Sequence, residues 1–328
     1  MRIWLKKHWL AVAAMSVVSL VALPLAALYF YAGLHGVNAV LRRGGSYWVA
    51  VAPDSPRLSA AMRAALRDPP PAAEAGSFAW REVAPGFEVG ELPVLADGQE
   101  VDRFLLARVD AARFDFQVRT APASNKGPDA WMADLGAMLV INGSYYSKTG
   151  APDTPLIEAG LRTGPSDYEA KHGAFVASRA MAGIRDLKNT NWQAAFAGAH
   201  DAMVSYPLLL AEDGTSRVTA DRRWLANRSF VGEDKSGRII FGTTKDAFFS
   251  LDRLAGFLRS APLDLKVALN LDGGPVACQS IAAGTYRRDF CGQWETSVTQ
   301  GQQHLLTWGF GTWALPIVLA VVPRAEKQ

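Results

Sequence analysis

Cysteine is scarce in this chain: 328 residues carry two, Cys278 and Cys291, alongside five histidines. Four thiolate ligands are lacking, which excludes a zinc ribbon. His172 and His200 are separated by a whole segment without ligand spacing, so they read as core or rim residues. The formal net charge is only +3, and beyond the first few residues no basic run is interleaved with aromatics. That disfavours nucleic-acid binding. The G-x-S-x-G pattern is missing, so Ser144 is not a nucleophile elbow. No dense carboxylate motif demands a divalent cation, although one bound to Asp272 stays open, and no cofactor is firmly implied. No internal repeat or low-complexity tract stands out.

What is present begins with an apolar N-terminus. Arg2, Lys6 and Lys7 precede an uncharged stretch from Trp9 to Leu34. A bilayer core takes about 20 apolar residues as a helix, whereas a cleavable signal needs an apolar region of about 7–15. The stretch therefore reads as a spanning signal-anchor over 9–34, with Trp4 and Trp9 at one end, Tyr29 and Tyr31 at the other, and Pro24 as a kink site. The positive-inside rule puts residues 1–8 in the cytoplasm and the remainder across the inner membrane, in the periplasm. The other reading is a long signal peptide cleaved after Ala26-Ala27. In an oxidising compartment Cys278 and Cys291 suit a disulfide pinning the loop after the strand that leads to Asp272; two free buried thiols are the alternative.

With 49% hydrophobic and 20% charged residues, the rest can bury a sizeable core. Residues 35–76 read as a linker: Arg42-Arg43-Gly44-Gly45-Ser46, a short helix opened by Ser55-Pro56 through Leu58, Met62 and Leu66, then an extended spacer at Pro69-Pro70-Pro71. The compact domain is expected over 77–328. Strands are expected near Phe78–Val83, Phe104–Val109, Phe114–Arg119, Gly173–Ala177 and Met203–Leu210, with a closing strand at Leu315–Val322. Ser236-Gly237 marks a hairpin turn before Arg238–Thr244. Helices are expected at Pro128–Leu135 and Ser250–Leu258, and weakly at Asn191–His200. Lys148 to Asp167 lacks regular pattern and reads as a long loop able to cover a cleft.

Two stretches share one grammar. Leu265 to Leu271 is an apolar run carrying Asn270 and leading to Asp272-Gly273-Gly274-Pro275; Ala137 to Ile141 breaks at Asn142-Gly143-Ser144-Tyr145-Tyr146. Buried strands that deliver polar side chains to glycine-rich ends are where ligands approach backbone and where chemistry tends to sit. Each end also reads as a plain turn, Arg228 as a surface ion-pair partner, and Tyr145 and Tyr146 as core aromatics.

Asn142-Gly143 with its aromatic pair, Tyr206-Pro207-Leu208-Leu209 before Asp213-Gly214, Arg228-Ser229 before Gly232, and Asn270-Leu271-Asp272-Gly273-Gly274 together resemble the phosphodiester glycosidase family, over roughly Trp131 to Pro323. Against that family's pattern, Ser144 replaces a glycine, Tyr145-Tyr146 replaces a Phe pair and Val276 replaces a hydroxyl residue. The resemblance implies a mixed α/β (α+β) domain, with central mixed β-sheets flanked by helices and preceded by the transmembrane helix. It also implies hydrolysis of a bond between a sugar's anomeric carbon and phosphate, on a carbohydrate or sugar-phosphate substrate. Asp272 is then the expected catalytic carboxylate, as nucleophile, base or metal ligand, and Arg228 the phosphate grip. Asn142, Gly143, Ser144, Tyr145, Asn270, Gly273 and Gly274 are the expected substrate contacts, the glycines through their N–H groups. Glu158, Asp153 and Asp167 are weaker candidates for a second carboxylate. A carbohydrate-binding protein that has lost catalysis is the alternative, motivated by Ser144 and Val276.

Overall fold

A computed structural model describes residues 2–41, 47–122, 124–219, 223–307 and 313–324. It divides into two units, Met1–Val51 with His304–Gly311, and Ala52–Gln303 with Thr312–Gln328. In the first, one helix runs Arg2–Leu41 without a break at Pro24. Its Val12–Phe30 segment, 19 residues of mean hydropathy 2.1 with none buried, is long and apolar enough to cross a bilayer. Trp9 and Tyr29 are exposed; the side chains of Trp4 and Tyr31, and the Arg42–Ser46 linker, lie outside the described residues. A strand Tyr47–Ala50 pairs antiparallel from Tyr47↔Thr307 to Ala50↔His304.

In the second unit sheets dominate and helices are few, in keeping with the α+β expectation. An eight-stranded sheet orders Leu208–Leu210, Leu265–Asn270, Ser229–Asp234, Ile239–Thr244, Gln99–Val109, Phe87–Ala96 and Glu74–Ala75, with Arg81–Ala84 also paired to Phe87–Ala96. A five-stranded sheet orders Tyr286–Cys291, Cys278–Ala283, Leu139–Asn142, Ile317–Pro323 and Phe114–Thr120. A second orders Ala182–Asp186, Gly173–Ala177, Asp201–Ser205, Leu156–Glu158 and Leu161–Thr163. The described ladders of all three are antiparallel, in place of the expected mixed sheets.

The three sheets meet in one core that joins Phe241 and Leu269 to Ile141 and Leu319 and to Phe175 and Met203. Behind the large sheet, Phe104 stacks on Phe257 of the helix Leu251–Ser260 and packs against Phe230 and Phe249. Burial on both faces explains why Leu265–Asn270 reads as an apolar run, whereas Phe87–Ala96 alternates buried and half-buried positions. Each fully buried phenylalanine contributes about 1.5–3 kcal/mol.

Several local expectations shift. The early helix spans Ala60–Ala65, capped by Ser59 accepting from the Met62 N–H at 3.1 Å, not by Ser55. Its Met62 is fully buried, and Glu74–Ala75 joins the large sheet, so the compact unit begins well before Ser77. The stretch read as one strand over Met203–Leu210 is two, in different sheets, broken at Tyr206 and the cis Tyr206–Pro207 bond. Pro207 has no N–H to continue a ladder. The long loop after Tyr146 contains the hairpin Leu156–Glu158 and Leu161–Thr163. Phe87–Ala96, a central partner of the large sheet, is a strand the sequence pattern hid.

Candidate active site

The two glycine-ended strands lie in different sheets and their ends touch. The Asp272 N–H donates to the Gly143 carbonyl at 3.1 Å, and the Asn142 Nδ2 donates to the Asp272 carbonyl at 2.8 Å. Asn142 completes its amide by accepting from the Cys278 N–H at 3.0 Å. That bond ties the junction to Cys278, which faces Cys291 across a ladder and is joined to it by a disulfide.

The junction floors a cavity of about 520 Å³ bounded by Tyr145, Tyr206, Trp224, Arg228, Asp272 and Glu295. Arg228 is buried and held by its own neighbourhood: Nε donates to the Phe249 carbonyl at 3.2 Å and Nη2 to the Trp224 carbonyl at 2.7 Å. Burial pushes the Asp272 carboxyl up to about 7; Glu295 and Asp153 add to the rise, while the Gly273 N–H, at 2.8 Å, and Arg228 oppose it. Burial also raises Glu295, against the pull of Arg228 and of the Trp224 indole N–H, which donates to it at 3.0 Å. Two acidic groups and a guanidinium thus share one hollow, with at least one carboxyl titrating near neutrality. Charge developing there is poorly screened, because water is partly excluded.

An aromatic wall completes the cavity. Tyr145 stacks on Tyr206 with ring centroids 4.1 Å apart and an 18° interplanar angle. The Tyr145 hydroxyl donates to the Tyr206 carbonyl at 2.8 Å and accepts from Asn270 Nδ2 at 2.8 Å. Burial raises the phenol's pKa, so it stays a donor.

Arg228, Asp272, Gly273 and Tyr145 therefore border the cavity. Asn142, Ser144 and Asn270 are buried behind it. The Ser144 hydroxyl donates to the Val204 carbonyl at 2.7 Å and pairs with Thr154 Oγ1 at 3.0 Å. Asn270 Nδ2 is shared among Tyr145, Tyr206 and the Leu271 carbonyl; its Oδ1 has no hydrogen-bond partner among the described residues. The glycine N–H groups are also occupied. Gly143 donates to Ile317, Gly273 to Asp272's own carboxylate and Gly274 to the Asn227 carbonyl. Gly274, at φ +69°, is in the left-handed region that favours glycine, and a Cβ there would sit against the Glu295 side chain.

Glu295, Trp224 and Asn227 escaped the sequence reading, and Tyr206 entered it only as part of a motif. Asn227 is fully buried, and its amide donates to the Thr244 and Asp246 carbonyls, each at 3.1 Å, while accepting from the Gln293 and Trp294 N–H groups at 2.9 and 3.0 Å. It clamps the segment leading into Glu295 to the one preceding Phe249, whose carbonyl holds Arg228. Only its place next to Arg228 could have flagged it. Of the weaker carboxylate candidates, Glu158 accepts from Thr120 Oγ1 at 2.7 Å, and Asp153 acts on Asp272 through charge. His200 pairs with Asp201 at 2.6 Å, and His172 lies beside Tyr206. Among the described residues no group of three His, Cys, Asp or Glu side chains is arranged to hold a metal ion.

Residues 135–297 match the phosphodiester glycosidase family model. The resemblance carried by the ordered motifs is thereby shown, and this phosphodiester glycosidase stretch contains Asn142, Tyr145, Tyr206, Arg228, Asp272 and Glu295. No curated protein matches the chain. Among solved structures, the chain is similar to the catalytic domain of zebrafish N-acetylglucosamine-1-phosphodiester α-N-acetylglucosaminidase auto-inhibited by its pro-peptide. That alignment has a TM-score of 0.47 and 14% identity, covering 85% of this chain and 88% of that one. A hypothetical protein from Synechocystis aligns with a TM-score of 0.49 and 14% identity over 76% of this chain and 64% of its own.

Proposed function

We propose that the chain is a membrane-anchored hydrolase that cleaves the bond between a sugar's anomeric carbon and a phosphate, with its sheet domain outside the inner membrane and its substrate in envelope or exopolysaccharide material. The observation that carries this reading is the shared cavity of Arg228, Asp272 and Glu295 beside the Tyr145–Tyr206 stack. The match to the phosphodiester glycosidase model supports the reaction class. The apolar Val12–Phe30 helix and the Cys278–Cys291 disulfide support the location, since disulfides persist in oxidising compartments.

In the proposed reaction a water attacks the anomeric carbon as the carbon–oxygen bond to phosphate breaks. Asp272 takes the water's proton, a role suited to a group whose pKa of about 7 lies near working pH. The bonding electrons leave on the phosphate oxygen, whose charge faces the Arg228 guanidinium. Glu295, hydrogen-bonded to Trp224, stabilises the oxocarbenium-like carbon between the two. The alternative of a silent binding protein loses its motive, because Ser144 and Val276 are buried away from the cavity lining.

The test is release of sugar from sugar-1-phosphodiesters by the purified full-length chain, set against Asp272→Asn, Arg228→Ala and Glu295→Gln. Undiminished turnover in all three variants removes these residues from the mechanism, and no turnover by the unaltered chain on any phosphodiester removes the reading.

A further inference from the structure

Tyr206 borders a second hollow of about 230 Å³, whose lining includes Tyr168, Lys171 and His172. It is the one residue that lines both this hollow and the cavity at Asp272 among the described residues. Tyr206 sits where the chain passes from one sheet to another, and it is held firmly there. Its ring is stacked on Tyr145, and its carbonyl accepts from the Tyr145 hydroxyl and from Asn270 Nδ2, at 2.8 and 3.1 Å. The platform between the two hollows is therefore a fixed aromatic ring, partly open to solvent.

The second hollow has a defined chemistry. The His172 ring lies 6.1 Å from that of Tyr206, centroid to centroid. Its Nδ1 accepts from the Leu208 N–H at 3.4 Å, which leaves the proton on Nε2, and burial and Arg217 both hold its pKa down. It is thus a neutral donor at neutral pH. Tyr168 is anchored through its carbonyl, which accepts the Trp192 indole N–H at 3.0 Å. Lys171 and Glu169 on the rim pair with each other at 2.7 Å, so no excess charge favours an anion. Asp153 lines neither hollow, but its negative charge acts on Asp272, Tyr168 and Tyr206 alike. Aromatic faces with neutral donors match a pyranose ring, whose C–H face packs on tyrosine while its hydroxyls exchange hydrogen bonds.

We propose that the Tyr168–His172 hollow is a second sugar subsite, and that the ligand is a glycan of at least two units lying across Tyr206. One unit sits beside Asp272 and the next against Tyr168 and His172. The proposal rests on the glycosidase reading for the chemistry at Asp272, but its binding test does not.

Full-length chain carrying Asp272→Asn, in detergent, is titrated calorimetrically with mono-, di- and tetrasaccharides of glucose, galactose, mannose and N-acetylglucosamine. At least one series is expected to gain about tenfold in affinity from mono- to disaccharide. Tyr168→Ala and His172→Ala, each checked for folding by thermal melting, are expected to shrink that gain to about twofold or less. Equal affinities at every length in all four series overturn the subsite, as does a gain that survives the substitutions. Turnover of sugar-1-phosphodiesters by the unaltered chain is measured separately. Length-dependent binding without turnover keeps the subsite and sinks the hydrolase, and turnover without length dependence does the reverse.

Discussion

The strand ends at Asn142 and Asp272 are written in the same sequence grammar yet do different work. Asn142 uses both ends of its amide on backbone, holding Asp272 and Cys278 in place. Asp272 turns its carboxyl into the cavity, where burial brings it to about 7. The same division runs through the neighbouring residues: Arg228 faces the hollow while Asn227, next to it, is wholly occupied in tying three segments together. A motif therefore supplies a working face and the frame behind it, and residue type alone does not say which is which.

The largest expected effect separates the two. Asp272→Asn is expected to lower kcat/KM by about 10²–10⁴-fold and to abolish a rise in rate with pH that otherwise levels off near 7, with stability retained. A steady-state pH profile of both forms checks this. Arg228→Ala is expected to cost about 10²–10³-fold in kcat, partly recovered by Arg228→Lys, because the lost group meets charge that develops as phosphate departs. If either substitution leaves rates intact, the working face has been assigned to the wrong side chains.

Frame substitutions should show the opposite signature. Breaking the Cys278–Cys291 link, which closes a separation of 13 residues, is expected to cost about 3 kcal/mol in unfolding free energy. Asn142→Ala strands the Asp272 carbonyl and the Cys278 N–H, at about 1–3 kcal/mol. Denaturant unfolding measures both losses, and the pH profile of whatever folds is expected to keep its shape. The last effect is a linkage, spread over several pH units rather than set by one lost contact. Asp272 binds its proton more tightly folded than unfolded, so its contribution is full below the ordinary value of 3.8 and is lost as pH rises through about 7. That costs up to about 1.4 kcal/mol per pH unit, and Asp272→Asn should flatten the dependence. A variant no less pH-sensitive than the unaltered chain would show that another group carries it.

Much of the fold is legible in the residues. Leu265–Asn270 and Ile317–Pro323 announce themselves as apolar runs, Ser236-Gly237 as a turn with Gly237 at φ +83°, and Ser250–Leu258 as the helix found over Leu251–Ser260. Phe87–Ala96 was masked by Gly90 and Pro93, and the Tyr206 break by the continuous apolar residues around it. Glu295 gave no local signal, since it lies beyond the disulfide hairpin in a stretch without periodicity.

The sequence by itself determined the apolar N-terminal segment, the order of the motifs, and the two cysteines able to pair. Only the tertiary structure decided which motif residues face the cavity. That choice turns on hydrogen bonds between segments far apart in the chain, such as Asn142 to Asp272 and Asn227 to Trp294. Those bonds bury some polar side chains as supports and leave others, Glu295 among them, lining the cavity.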